Sequence, residues 1–210
     1  MKFVNPPLFI ISAPSGAGKT TIFKQAQQSL SNLVFSVSYT TRKPRKNEAD
    51  GVDYFFVEKE DFIQRIDDNE FLEWAQVHGS YYGTSHRYIK DAWKAGQIVV
   101  LDIDVQGATQ LMDQPDLEAI FIFIKPPSLE ELRFRLKNRG TESKESSELR
   151  LKNAEWELTF EDRYDYVIIN DKIDKAVWDF LKIILEKSTD PSESTNKTID
   201  EMLHLLIKTP

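Results

Sequence analysis

Leu8-Phe9-Ile10-Ile11-Ser12-Ala13-Pro14-Ser15-Gly16-Ala17-Gly18-Lys19-Thr20 is an apolar run that breaks into a glycine-bearing loop and closes on Gly-Lys-Thr. A buried strand leading into such a loop and then a helix is the layout of a phosphate-binding loop. Gly16 and Gly18 let backbone N–H groups turn inward on a polyphosphate, where a Cβ would block the approach. Lys19 supplies a point charge for the outer phosphates, and the Thr20 hydroxyl suits an accompanying Mg²⁺. A helix starting near Lys19 adds the positive end of its dipole. Ala13 stands where the first glycine of G-x-x-x-x-G-K-[ST] belongs. Alanine avoids positive φ, so the loop must enter in an αR or β conformation. The plain alternative is a glycine-rich turn with an incidental lysine, and the strand in front of it favours the phosphate loop. Alone, the loop specifies a nucleotide and Mg²⁺ and leaves the reaction open.

Outward from it, strand-like apolar runs recur at Val34–Ser38, Ile98–Ile103, Ala119–Ile124 and Tyr166–Ile169, with helical periodicity between them. That alternation predicts an α/β fold with a central parallel sheet covered on both faces. Ile22, Phe23, Ala26 and Leu30 form the inward stripe of the helix after the loop. Ser128-Leu129-Glu130-Glu131 reads as a capping box that opens another helix, with Leu129, Leu132 and Leu136 inward. Two stretches break the rhythm. Residues 39–95 are rich in aromatic and charged side chains, with short strands at Tyr54–Val57 and Phe71–Val77, and read as a small β-containing insert. Residues 139–149 are polar without an apolar anchor, either a solvated loop or a mobile lid.

The chain has 210 residues, 40% of them hydrophobic and 29% charged, enough for one α/β domain with a sizeable core. A net charge of −7 argues against nucleic acid as the main partner, so any basic site is local. The absence of cysteine excludes disulfides and thiolate chemistry. The short N-terminal apolar run follows Pro6-Pro7 and runs into the phosphate loop, so it does not read as a cleaved leader. No run approaches the ~18 apolar residues of a membrane span. The expected location is the cytoplasm. Ser188–Thr198 reads as a linker, and Ile199, Met202, Leu203 and Leu206 as an amphipathic helix, docked on its own domain or forming a subunit contact.

Ser38-Tyr39-Thr40-Thr41-Arg42-Lys43-Pro44-Arg45, Gly51-Val52-Asp53-Tyr54, Glu70-Phe71-Leu72-Glu73-Trp74-Ala75 and Tyr81-Tyr82-Gly83-Thr84 follow the loop in order. With Leu101-Asp102-Ile103-Asp104-Val105-Gln106-Gly107, Arg135 through Thr141, Arg150 and Val167 through Asp171, this pattern resembles the guanylate kinase family up to about residue 187. The resemblance implies a P-loop NTPase-type three-layer fold. Its core would be residues 1–37 and 96–187, its GMP-binding insert about 38–95 and its lid about 137–150. Residues 188–210 would be the appended linker and helix.

The implied activity is Mg²⁺-dependent phosphoryl transfer from ATP to GMP, and with it dGMP, in purine nucleotide metabolism. ATP would lie on Ala13, Pro14, Ser15, Gly16, Ala17, Gly18, Lys19, Thr20 and Thr21, with Arg135, Arg139 and Arg150 converging on its phosphates and Asn170 near its base. Arg42 and Arg45 offer planar forks for the GMP phosphate, and Tyr54 and Tyr82 phenolic donors. Glu73 would accept from guanine N1–H and the N2 amine, which adenine cannot supply, with Ser38 and Thr84 completing that edge. Taken alone, Glu73 would be an ordinary strand-surface charge, and Trp74 beside it is expected in the core. By family analogy Asp104 touches the guanine and Asp102 acts on the metal shell through water. Lys19, Arg42, Arg135, Arg139, Arg150 and Asp102 are the expected catalytic set. A catalytically inactive relative that binds phosphoproteins, or a kinase for another phosphate acceptor, are the alternatives; the retained lysine and arginines favour an enzyme, and Glu73 with Ser38 and Thr84 favours guanine. Whether the chain is a monomer or a homo-oligomer is left open.

Overall fold

The opening run forms strand β1 (Leu8–Ser12), buried along its whole length, because helices cover both faces of its sheet. The computed structural model describes residues 7–77, 79–138, 144–188, 199, 201, 203 and 204. β1 lies at the centre of a five-stranded sheet with β2 (Leu33–Phe35), β7 (Ile98–Asp102), β8 (Ala119–Lys125) and β9 (Tyr166–Ile169), in the order β2-β7-β1-β8-β9. Every pairing is parallel; Phe9, for example, lies opposite Val100 on one side and Ile120 on the other.

Alternate residues of these strands feed two cores, as the period of two demands. Phe9, Ile11, Val100 and Ile122 pack under α1 (Lys19–Ser29) and α7 (Ile173–Ser188). Leu8, Ile10, Val99, Leu101 and Phe123 pack under α3 (His86–Lys94) and α4 (Val105–Met112). The expected stripe of α1 is in place, with Ile22, Phe23 and Ala26 buried and Leu30 packed at the margin. α5 (Leu129–Asn138) opens where its capping box predicts, the Glu131 N–H donating to Ser128 Oγ at 3.1 Å. Leu132 and Leu136 of α5 pack with Ala154 of α6 (Lys144–Leu158), while Leu129 is only half-buried.

The apolar run at 34–38, expected as one strand, serves two sheets. β2 ends at Phe35, Ser36 N–H donates to the Val100 carbonyl, and the chain then leaves the parallel sheet for β3 (Tyr39–Thr40). A second, four-stranded sheet follows, in the order β4-β3-β6-β5, built from β3, β4 (Phe55–Phe56), β5 (Phe71–Val77) and β6 (Ser80–Ser85). Phe62 of α2 (Lys59–Asp67) covers one face of it, stacking on Phe71 and lying 5.5 Å from the Tyr81 ring. α3, unmarked in the aromatic-rich stretch, packs Ile89 and Ala92 against the main sheet.

Trp74 corrects an expectation, for it is 40% exposed rather than in the core. It sits on the edge strand β5, on the face that α2 covers only in part, and its ring neighbour is Tyr81 at 6.1 Å. Beyond α7, Ile199 and Leu203 are buried against the α1–α7 core, and the His204 ring lies 4.8 Å from Trp178. Those residues dock on the chain's own domain. The expected linker beyond Ser188, and residues 139–143 of the expected lid with Arg139, lie outside the described residues.

Candidate active site

The turn out of β1 holds Gly16 and Gly18 at φ 94° and 97°, a region closed to Ala13; among the described residues the sole non-glycine at positive φ is Asn69. Gly18 is the N-cap of α1 and brings no side chain to cap it, so the positive end of the helix is left open toward an anion. The loop is braced from behind. Leu132 and Leu136 of α5 pack against Gly16, where a Cβ would lie 3.1 Å from each. The Asn170 side chain, 5% exposed, donates from Nδ2 to the Ala17 carbonyl at 2.7 Å, and a Cβ on Gly18 would overlap that amide. Asn170 is therefore tied to the loop backbone. Arg135 is tied too, Nε to Glu131 Oε1 at 2.7 Å and Nη2 to the Asn170 carbonyl at 3.0 Å. Arg150 of α6 reaches the loop itself, Nη1 lying 3.2 Å from Ser15 Oγ.

Lys19 forms an ion pair with Asp102 at the end of β7. Asp104 is not on the strand with it. It caps α4, its Oδ1 accepting from Gly107 N–H at 2.8 Å. Glu157 of α6, which no sequence motif marked, is pushed up to about 7 by burial, with Lys19 opposing and Asp104 adding to the shift. Lys19 is thus set among several acids, Asp102, Asp104 and Glu157, whose charge a cation bound with the ligand would offset. Thr20 and Thr21 stand exposed on the first turn of α1. Among the described residues no three His, Cys, Asp or Glu side chains group as a metal cage. One hydroxyl and one half-exposed carboxylate, Thr20 and Asp102, fit an ion such as Mg²⁺ that keeps several waters and phosphate oxygens.

Across the cleft, a bulge decides what the second sheet presents. Phe71 pairs with Ser85 but Glu73 pairs with Thr84, so Leu72 is an extra residue in β5. Without it, Phe71 and Glu73 would share the face covered by α2. With it, Phe71 stacks on Phe62 while Glu73 turns to the opposite face, directly across from Thr84. Thr84 Oγ1 donates to Glu73 Oε1 at 2.6 Å, and Ser38 Oγ lies 3.4 Å from Thr84 Oγ1. Glu73 is 6% exposed. Burial pushes its carboxyl up to about 7; the Thr84 hydrogen bond opposes this and the Asp104 charge adds to it.

Arg42 is pre-oriented rather than free. Its Nη1 and Nη2 donate to Glu48 Oε2 and Oε1, each at 2.9 Å, and its Nε to Tyr82 Oη at 3.2 Å. Glu48 also accepts from the Arg45 N–H at 2.8 Å, and the Arg42 pair holds its carboxyl below the ordinary value. The Arg45 side chain is mostly exposed, 3.8 Å from Glu48. Tyr54 lies under the Arg42 guanidinium, 5.4 Å from ring centroid to Cζ, and 5.9 Å from the Tyr82 ring. Burial pushes the Tyr54 phenol up to about 12, with the charge of Asp102 adding to it, so it stays a donor. Glu48 was legible in hindsight, since an acid within a basic run is a candidate partner for its arginines.

One cleft of about 340 Å³ joins these parts. Ala13, Ser15 and Lys19 line one wall, Ser38, Tyr54, Glu73 and Tyr82 the other, and Asp102 and Asp104 the floor between them. Arg42 meets it through Tyr82, Thr84 through Glu73, and Arg150 through Ser15; Arg135 and Asn170 stand behind the loop. The arrangement has an anion-receiving loop and a buried carboxylate acceptor facing one another, as a two-substrate transfer site requires.

Comparison with known proteins agrees with this geometry. The guanylate kinase family model matches residues 5–188. A guanylate kinase of Thermotoga maritima is 44% identical over 190 residues, spanning 90% of this chain and 91% of the relative. One of Desulfotalea psychrophila is 52% identical over 169 residues, 80% and 83% of the two chains. The crystal structure of guanylate kinase from Anaplasma phagocytophilum superposes with a TM-score of 0.70 at 31% identity, covering 97% and 96% of the two chains.

Proposed function

The chain belongs to the guanylate kinase family, and we infer from that membership and from the cleft that it transfers the terminal phosphoryl group of ATP to GMP, giving ADP and GDP. The observation that carries the reading is the buried Glu73–Thr84 pair, set across one cleft from Lys19. An ionised Glu73 would accept from guanine N1–H and the N2 amine at once. Adenine offers an acceptor at N1 and would leave the carboxylate buried and unpaired, which is costly. The phosphate of GMP would meet Arg45, Tyr54, Tyr82 and the one Arg42 N–H, on Nη2, that is not spent on Glu48, Tyr82 or the Lys43 carbonyl.

At the donor side, the Gly16–Gly18 backbone would hold the ATP phosphates, with Lys19 leaving Asp102 for them. Arg150, already at Ser15, would neutralise charge that develops on the transferred group, together with Arg139. Bound Mg²⁺ would screen the phosphates from the surrounding acids, and Thr20 directly and Asp102 through water are the residues suited to hold it. Asp102, freed by Lys19, is then available for that task. Residues about 38–95 would form the acceptor-binding insert and 137–150 the lid over ATP, closing to exclude water. No described helix is long and apolar enough to cross a membrane, in keeping with a cytoplasmic enzyme. An assay of ATP-dependent phosphorylation of GMP, AMP, UMP and dTMP tests the reading; turnover of another acceptor in preference to GMP overturns it.

Two consequences are measurable. Guanine needs Glu73 ionised, so KM for GMP should rise as pH falls below about 7. That limb should vanish in Glu73→Gln, and its survival there would mean another group titrates. The linkage to stability has the opposite sense: the folded carboxyl keeps its proton above the ordinary 4.5, so the contribution of Glu73 to stability falls as pH rises from about 4.5 to about 7. Glu48→Ala removes the brace from two arginines and should raise KM for GMP about tenfold, the share of one charge-assisted contact, with kcat little changed. A lowered KM would show that Glu48 instead competes with the phosphate.

A further inference from the structure

Gly107 lies in the first turn of α4, on the main sheet's side of the cleft, and helix contacts join α4 to β5 of the second sheet. Its φ is not positive, so the backbone does not require glycine there. Glycine also weakens a helix relative to alanine. Space supplies the reason. A Cβ at 107 would stand 2.8 Å from Glu73 Oε2 and 3.5 Å from Asp104 Oδ1. The carboxylate that faces Thr84 with Oε1 thus rests its second oxygen against the bare Cα of α4. The same residue's N–H holds Asp104 by the 2.8 Å cap, fixing the neighbouring acid beside Glu73.

We propose that Gly107 is a specificity-determining position: its missing side chain is the slot that seats the Glu73 carboxylate in register with the guanine edge. The proposal rests on the reading of Glu73 as the base acceptor. Any side chain at 107 pushes Oε2 away, and the carboxylate swings off the line set by Thr84. The effect falls on the acceptor nucleotide and spares ATP, because the nearest atoms a Cβ at 107 would meet belong to Glu73 and Asp104 and not to the phosphate loop.

Steady-state titrations of GMP, AMP and ATP on the full chain, with thermal unfolding alongside, test it in Gly107→Ala, Glu73→Asp, the double variant and Glu73→Gln. Gly107→Ala should raise KM for GMP about tenfold or more, the scale of a misplaced charged hydrogen bond, leaving KM for ATP unchanged and Tm no lower than that of the parent. Glu73→Asp draws the carboxylate back by one methylene, so the double variant should lose less than the two single losses combined. A GMP response like the parent's in Gly107→Ala, or additive losses in the double variant, overturns the proposal. So does a Gly107→Ala protein that fails to fold and is not restored by Glu73→Asp. If Glu73→Gln keeps the parental GMP-over-AMP preference, the reading of Glu73 itself has failed; if Glu73→Gln is impaired and Gly107→Ala is not, the slot alone has failed.

Discussion

Lys19→Ala is expected to lower kcat by on the order of 10²–10³-fold, the loss found when one preorganised electrostatic contact to the transferring group is removed. The loop around it should survive. Asn170 holds the Ala17 carbonyl, Leu132 and Leu136 pack against Gly16, and Gly18 caps α1; none of these contacts involves the lysine. What changes is charge. Asp102, now without its ion-pair partner, stands with Asp104 and Glu157 against two incoming polyanions. Measured ADP formation at saturating ATP and GMP, with an unchanged far-UV spectrum, checks the expectation. Near-parental turnover would remove the loop from the donor site.

The second large effect is on discrimination. Glu73→Gln preserves shape but offers guanine one carbonyl acceptor and an NH₂ that faces donors. The expected loss in kcat/KM for GMP is about 1.5–3 kcal/mol, roughly 10–150-fold. AMP turnover should hold or rise, since the glutamine removes the buried charge that adenine would leave unpaired and its NH₂ can donate to adenine N1, so the preference ratio should collapse by at least the same factor. The parental protein and the variant assayed on both nucleotides decide it, and an unchanged ratio would show that the base is read elsewhere. The folded variant should gain stability near and above pH 7, where the parent buries a charge. A decrease in Tm there would indicate that Thr84 depends on the carboxylate more than the hydrogen bond at 2.6 Å suggests.

Features written in neighbouring residues were legible. β1 and the loop, the inward stripe of α1, the capping box of α5 and the strand Tyr166–Ile169 each depend on spacing along a few residues, and each is where that spacing places it. Features that depend on who comes alongside were not. The run at 34–38 is uniformly strand-like, yet the partner available to Ser36 is Val100 and the partner of Tyr39 is Gly83, so it divides between two sheets. Trp74 has the residue type of a core position, but an edge strand leaves it 40% exposed. The bond by which Asn170 holds the Ala17 carbonyl joins residues far apart in the chain, so spacing carries no sign of it.

The chain alone thus determined the kind of site: a strand, two glycines that tolerate left-handed backbone, a lysine, and an insert rich in arginine and tyrosine. Those are local chemistry, and local chemistry survives in one dimension. The tertiary structure decided which groups face the cleft. A strict alternation through Phe71 and Glu73 would place both on the α2 side; one extra residue, Leu72, turns the carboxylate across from Thr84 and toward the bare Cα of Gly107. A register shift of one residue exchanges the two faces of a strand while leaving its composition untouched. The partner strand and the helix behind it supply that information, so it exists only once the two sheets have come together.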